Sequence, residues 1–179
     1  MRDLSLHILD LIENSLRAEA SVISVSVLEY PDEDTLEITV EDNGPGLDVP
    51  YEVATDPFYT TKNGKRTGLG LSLFRAAAER ANGKLMLGKS KLGGLSVKAI
   101  MRLNHIDRSP MGDLAATISS VVSTNPGVDL RFRLCVGMQE CTVWVSDVVN
   151  DLPPSKRDSL LIALQMSERI NRGLEQLRP

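Results

Sequence analysis

The sequence predicts an α/β (α+β) two-layer sandwich, a mixed sheet with helices on one face, followed by a small C-terminal α+β unit. Three observations predict it: a two-faced helical pattern at the N-terminus, strands of alternating polarity, and a glycine-rich turn that opens a second helix.

Residues 4 to 17 carry the first pattern. Leu4, Ile8, Leu11, Ile12, Ser15 and Leu16 fall on one face and His7, Asp10, Asn14 and Arg17 on the opposite one. A β-branched run from Ser21 to Leu28, a Pro31 to Asp34 turn and a second run from Leu36 to Glu41 read as a hairpin. From Asn43 to Arg66 periodicity is lost to Gly, Pro, Thr and Lys, a length that suggests a functional loop. A helix from about Leu69 to Ala81, stopped by Asn82-Gly83, leads to strands near Lys84 to Gly88 and Leu95 to Leu103. These boundaries predict a first domain at 1–104, a linker at 105–110 and a small α-β-β-α unit at 111–179. In that unit Leu130, Phe132, Leu134 and Val136 alternate with polar residues, and Leu160, Leu161, Leu164, Ile170, Leu174 and Leu177 mark a terminal helix.

Composition bounds the function. With 179 residues, 42% apolar and 25% charged, the chain can bury its own core. Its net charge of -4 argues against nucleic acid as the main partner. No apolar run approaches the ~20 residues of a membrane span, so no membrane role and a cytoplasmic location are expected. Cys135 and Cys141 supply half of a tetrahedral metal site and read as free thiols.

Chemistry concentrates at three places. On the first helix, Asp10, Asn14 and Arg17 at i, i+4 and i+7 put a carboxylate, an amide and a guanidinium on one stripe. An amide oxygen can join magnesium's oxygen shell without adding charge beside phosphates. Arg17 can neutralise phosphate or pair with Glu13, and by itself such a stripe is more often a solvated helix face. Next, Asp42-Asn43-Gly44-Pro45-Gly46-Leu47 follows a strand directly. A carboxylate there can accept from an adenine amino group, where guanine would set acceptor against acceptor. Gly44 and Gly46 allow close backbone approach. Third, Thr67-Gly68-Leu69-Gly70-Leu71 opens a helix whose free N–H groups and positive dipole end suit phosphate. Lys62, Lys65 and Arg66 precede it, placed to close over a triphosphate or to remain a solvated loop.

Together these residues resemble the GHKL superfamily of gyrase, heat-shock chaperone, histidine kinase and mismatch-repair ATPases, over roughly residues 4 to 104. Asp10 to Arg17 resembles its N box, Asp42 to Leu47 its G1 box, Asp56-Pro57-Phe58-Tyr59-Thr60-Thr61-Lys62 its F box and Thr67 to Leu71 its G2 box. The last two look most like histidine kinases, and Glu13 to Leu16 is also similar to the mismatch-repair branch. The resemblance implies the Bergerat ATP-binding fold, with ATP and Mg2+ as ligands. It implies Asn14 as the magnesium ligand, Asp42 as the adenine contact, Gly44 and Gly46 as the floor, Gly68 and Gly70 as the phosphate turn, and Phe58 packing a lid. Arg17, Thr61, Lys62, Lys65, Arg66, Thr67 and Leu69 complete the expected nucleotide contacts. The ATPase and serine-kinase branches of the family place a carboxylate base, usually Glu, four residues before the Asn, and the resemblance makes Asp10, at that position here, the candidate general base.

Only a few residues precede the first helix, so a complete sensor kinase with its own phospho-accepting helical hairpin is not expected. His7 reads as a neighbour of Asp10 on the polar stripe. The two-part layout resembles a group of stand-alone bacterial ATP-binding proteins, some encoded near iron–sulfur redox enzymes. Three functions follow as expectations: a nucleotide-gated regulatory module that engages a protein partner through residues 111–179; a protein kinase acting in trans on Ser, Thr or His, similar to anti-sigma factors; or a slow ATPase that forms a homodimer around nucleotide.

Overall fold

The computed structural model describes residues 3–56 and 68–178. The order is α1 (Leu4–Arg17), β1 (Val22–Tyr30), a 3-10 turn (Pro31–Glu33), β2 (Thr35–Asp42), α2 (Tyr51–Ala54), α3 (Gly68–Arg80), β3 (Lys84–Lys89) and β4 (Leu95–Arg102). There follow α4 (Leu114–Thr124), β5 (Asp129–Val136), β6 (Gln139–Trp144), α5 (Val145–Asp151), a second 3-10 turn (Pro154–Lys156) and α6 (Ser159–Leu177).

The six strands of the described residues form one sheet, in the order β3-β4-β2-β1-β5-β6. Neighbours are antiparallel except β1 and β5, which run parallel with Val25 beside Phe132. Alternation decides the two faces. Val25, Val40, Val97 and Phe132 lie in register across four strands and are buried beneath the helices. The opposite face carries Ser26, Thr39, Lys98 and Arg133. The result is a two-layer sandwich with helices on one side of a mixed sheet.

The sheet does not end with the first 104 residues. β5 continues it beside β1, so the strands expected in a separate C-terminal unit share a sheet and a core with the N-terminal part. The 105–110 segment is pinned as well: Leu4 N donates to Pro110 O at 2.9 Å, Ser5 N to Met111 O at 2.8 Å, and Ser109 is buried. The sequence anticipates a helix, two strands and a terminal helix over 111–179, and the structure adds α5, which buries Val148. β-Branched residues spaced closely after a strand do not by themselves distinguish its continuation from a short helix.

Two side-chain expectations change. His7 is buried rather than on a solvent stripe, and its ring stacks on Phe74 with centroids 5.2 Å apart. α3 lies across that side of α1, and a periodicity confined to one helix cannot register a second covering helix. On α6 the buried face is Ile162, Met166, Ile170 and Gly173, whereas Leu160 and Leu164 are exposed. Gly173 is where α6 meets the sheet, since a Cβ there would lie 3.0 Å from Cys141 Cβ and closer still to its sulfur. Burial raises the Cys141 thiol pKa. Cys141 pairs in register with Leu134 on the covered face and Cys135 with Glu140 on the open one, so the two thiols project from opposite faces.

Candidate functional site

α1, the end of β2 and the start of β4 enclose a cavity of about 740 Å³. Its walls are aliphatic, formed by Leu11, Val40, Leu47, Leu71, Leu95 and Val97, and its polar lining is Asn14, Ser15, Arg17, Asp42 and Asp48. A mostly apolar concavity with a few convergent polar groups is the usual form of a small-molecule site.

Asp42 sits at its floor, 5% exposed. Ser15 Oγ donates to Asp42 Oδ2 at 2.6 Å, and the backbone N–H groups of Gly44 and Leu95 donate to Oδ1 at 3.0 and 3.1 Å. A carboxylate offers about four acceptor positions. Three are taken by protein, two of them on Oδ1, so the remaining capacity lies on Oδ2. The strand that delivers Asp42 is anchored by its neighbour. Asn43 Oδ1 accepts the N–H groups of Ser21 and Val22 at 2.9 and 3.0 Å, which makes it a clasp on β1 rather than a ligand group.

Gly46 lines the cavity at φ +80, a left-handed conformation that suits glycine. Gly94 is constrained more severely. A Cβ on it would overlap Asp42 Oδ1 and stand 2.6 Å from Gly44 N. Its own N–H donates to Asp42 O at 3.0 Å, so the Gly93-Gly94 turn buttresses the floor from behind.

At the rim, Arg17 meets both of the partners that its position on the helix allows. Nη1 donates to Asn14 Oδ1 at 2.8 Å and Nη2 to Glu13 Oε2 at 3.2 Å. Asp10 lies one turn earlier, where α3 begins. A Cβ on Gly70 would be 3.5 Å from Asp10 Cβ and 3.8 Å from Asn14 Nδ2, so the two helices touch at this point.

The structure thus brings Asn14, Arg17, Asp42 and Gly46 together around one cavity, with Gly44 beneath and Gly70 beside it. Gly68 is the first residue of α3, and Leu69 projects outward, half exposed. Phe58, Thr61, Lys62, Lys65, Arg66 and Thr67 lie outside the described residues. Sequence reasoning missed Ser15, Leu95 and Gly94. Ser15 was counted with the apolar face, and its place directly after Asn14 was the available signal. The paired glycines at 93 and 94 were the signal for the second.

Metal chemistry is bounded by the donors present. Among the described residues no group of three or more His, Cys, Asp or Glu could hold a metal ion. A divalent cation here would have one amide oxygen, from Asn14, and otherwise oxygens from a ligand and water, which fits magnesium's habit of binding through phosphates. Among the described residues no helix is long and apolar enough to cross a membrane.

Comparison with known proteins adds a family. A family model described as histidine kinase-, DNA gyrase B-, and HSP90-like ATPase matches residues 2–105, more than half of the chain. Similar solved structures include the following three. The catalytic domain of the histidine kinase ThkA is 23% identical with a TM-score of 0.41, covering 54% of this chain and 64% of that one. The ATP binding domain of PrrB from Mycobacterium tuberculosis is 26% identical with a TM-score of 0.38, covering 59% and 68%. The N-terminal domain of a DNA repair protein is 13% identical with a TM-score of 0.46, covering 81% and 52%. The chain therefore spans less than two thirds of the length of the ThkA domain and about half of that N-terminal domain of a DNA repair protein. No curated protein sequence matches it.

Proposed function

The chain belongs to the histidine kinase-, DNA gyrase B- and HSP90-like ATPase family, and from that premise we propose that it is a magnesium-dependent ATP-binding protein acting in the cytoplasm as a nucleotide-gated regulatory module. The observation that carries the reading is a buried Asp42 with one acceptor position to spare at the floor of an aliphatic cavity. Adenine's amino group would donate to Asp42 Oδ2 while its ring lies among Leu47, Leu71 and Val97. A guanine oxygen at the same point would face a carboxylate and leave it short of a donor.

Asn14 Oδ1 would complete the shell of a phosphate-bound magnesium. Arg17 now occupies that oxygen, so metal entry exchanges one hydrogen bond and frees the guanidinium for phosphate. Because α1 and α3 meet at Asp10, Asn14 and Gly70, a triphosphate there would contact both helices, and ATP and ADP would differ in that contact. Such a difference is what switching requires. Residues 111–179 would carry the protein partner; Leu160 and Leu164, exposed one turn apart on α6, support that side as the docking element. The test is a pull-down with the full chain in ATP, ADP or neither. A complex that forms equally in all three would sink the gating.

A second reading is supported by Asp10, whose carboxylate stands beside the first turn of α3 where a terminal phosphate would lie. There it could act as general base for a kinase working in trans on Ser, Thr or His, or for a slow ATPase. Asp10→Asn separates the readings. An enzyme loses on the order of 100-fold or more in turnover while ATP binding persists, whereas a pure switch keeps its nucleotide-dependent complex.

A further inference from the structure

A second cavity, of about 380 Å³, opens among the end of α4, the start of β5, α5 and the start of α6. It is separate from the nucleotide pocket, shares no lining residue with it, and falls at the small end of the range for small-molecule sites. Val122, Val128, Val145, Val149 and Ile162 give it a branched aliphatic wall.

Its cationic side chain is Arg157. Arg157 Nε donates to Leu152 O at 2.9 Å, which anchors the guanidinium and leaves its two terminal nitrogens to donate elsewhere. The nearby carboxylates are engaged. Asp129 accepts Arg131 Nε at 2.9 Å and Ser146 N at 3.1 Å, and Asp158 caps α6 by accepting Leu161 N at 2.9 Å. Every ion pair among the described residues leaves Arg157 out. An aliphatic cavity with one anchored, unpaired guanidinium at its edge is complementary to a molecule with a hydrocarbon body and a single negative charge. A planar carboxylate matches the guanidinium fork, and a phosphate would bring more charge than one arginine balances.

We propose that this cavity binds a small aliphatic monocarboxylate, with its chain among the valines and its carboxylate on Arg157. The proposal does not depend on nucleotide binding at the other site.

Binding is read by isothermal titration calorimetry, because Trp144, the single tryptophan of the chain, stacks with Arg131 on the open face of the sheet and does not line the cavity. The full chain is titrated with octanoate and with neutral octanamide, with and without saturating ADP. Expected is a saturable change with octanoate, about tenfold or more weaker for octanamide and for Arg157→Gln, as loss of a charge-assisted bond implies. Val149→Phe, which fills the cavity, should abolish it. Amide shift changes centred on Val145 to Asn150 give a second readout that does not need the variants. A response that never saturates, equal binding of octanamide, an unchanged Arg157→Gln, or displacement by ADP would overturn the proposal.

Discussion

Ser15 Oγ donates to Asp42 Oδ2 at 2.6 Å, joining the first helix to the end of the second strand across 27 positions of sequence. Both residues are buried, and the bond ties the carboxylate at the cavity floor to the same helix that presents Asn14 and Arg17. The groups proposed to read adenine and to face the phosphates are thereby held in one frame.

Ser15→Ala should therefore loosen Asp42 without unfolding the protein. A hydrogen bond to a charged group contributes about 1.5–3 kcal/mol, and a loss of that size is expected in denaturant unfolding. Isothermal titration should show weaker ATP binding as well. Asp42→Asn keeps its oxygen on the Gly44 and Leu95 N–H groups and so puts an NH2 donor at the proposed adenine contact, which should weaken ATP far more than it changes stability. Equal affinity in Asp42→Asn would remove Asp42 from the adenine contact.

Gly94→Ala tests the buttress behind the floor. The added methyl overlaps Asp42 Oδ1 and presses on Gly44 N, and both lie in a segment fixed by several bonds. The expected result is a loss of stability of roughly 1–3 kcal/mol, the usual cost of overpacking, together with loss of nucleotide binding. Gly93→Ala, one residue away with open space around it, should be milder in packing and serves as comparison, though its φ of +109 adds strain.

Phe74 closes the core over His7. It is fully buried in α3 and stacks on the imidazole at an interplanar angle of 14°. Phe74→Ala should cost about 3–5 kcal/mol, measured by chemical denaturation. Because the same contact sets α3 against α1, nucleotide affinity should fall in parallel.

Acid stability should follow Asp34. The Asn104 backbone N–H, at 2.8 Å, and then Arg102, at 2.7 Å, hold its carboxyl below the ordinary 3.8. A lowered folded pKa stabilises above the ordinary value, and the contribution is lost as pH falls through the folded one. Asp3, lowered chiefly by the Ser5 hydroxyl, has the same sign. Asp34→Asn retains tolerance for the left-handed backbone found there, φ 49, while removing the charge. Its urea midpoint should fall below the parent's between pH 5 and 8 and converge with it below about pH 4. A gap that persists at low pH would mean the charge is not the cause.

Much of the architecture was legible because local pattern and final burial coincide. The alternation in β1, β2, β4 and β5 and the apolar stripe of α1 each appear as buried faces. That Asn14, Arg17, Asp42 and Gly46 share one cavity was foreshadowed too, since strand-end and helix-stripe positions carry chemical types that packing alone does not explain. His7, the buried face of α6 and the helix α5 were not, because each depends on a neighbour distant in sequence.

By itself the sequence determined which elements form and which side chains carry charge or lack a Cβ, since helix and strand periods and turn chemistry act over a few residues. Only the tertiary structure decided that β5 pairs with β1, that Ser15 and Leu95 hold Asp42, and that Arg157, beside an aliphatic cavity, has no ion pair among the described residues. Those outcomes depend on which surfaces exclude water together and which polar groups then have no other partner. That is a property of the assembled core rather than of any one segment.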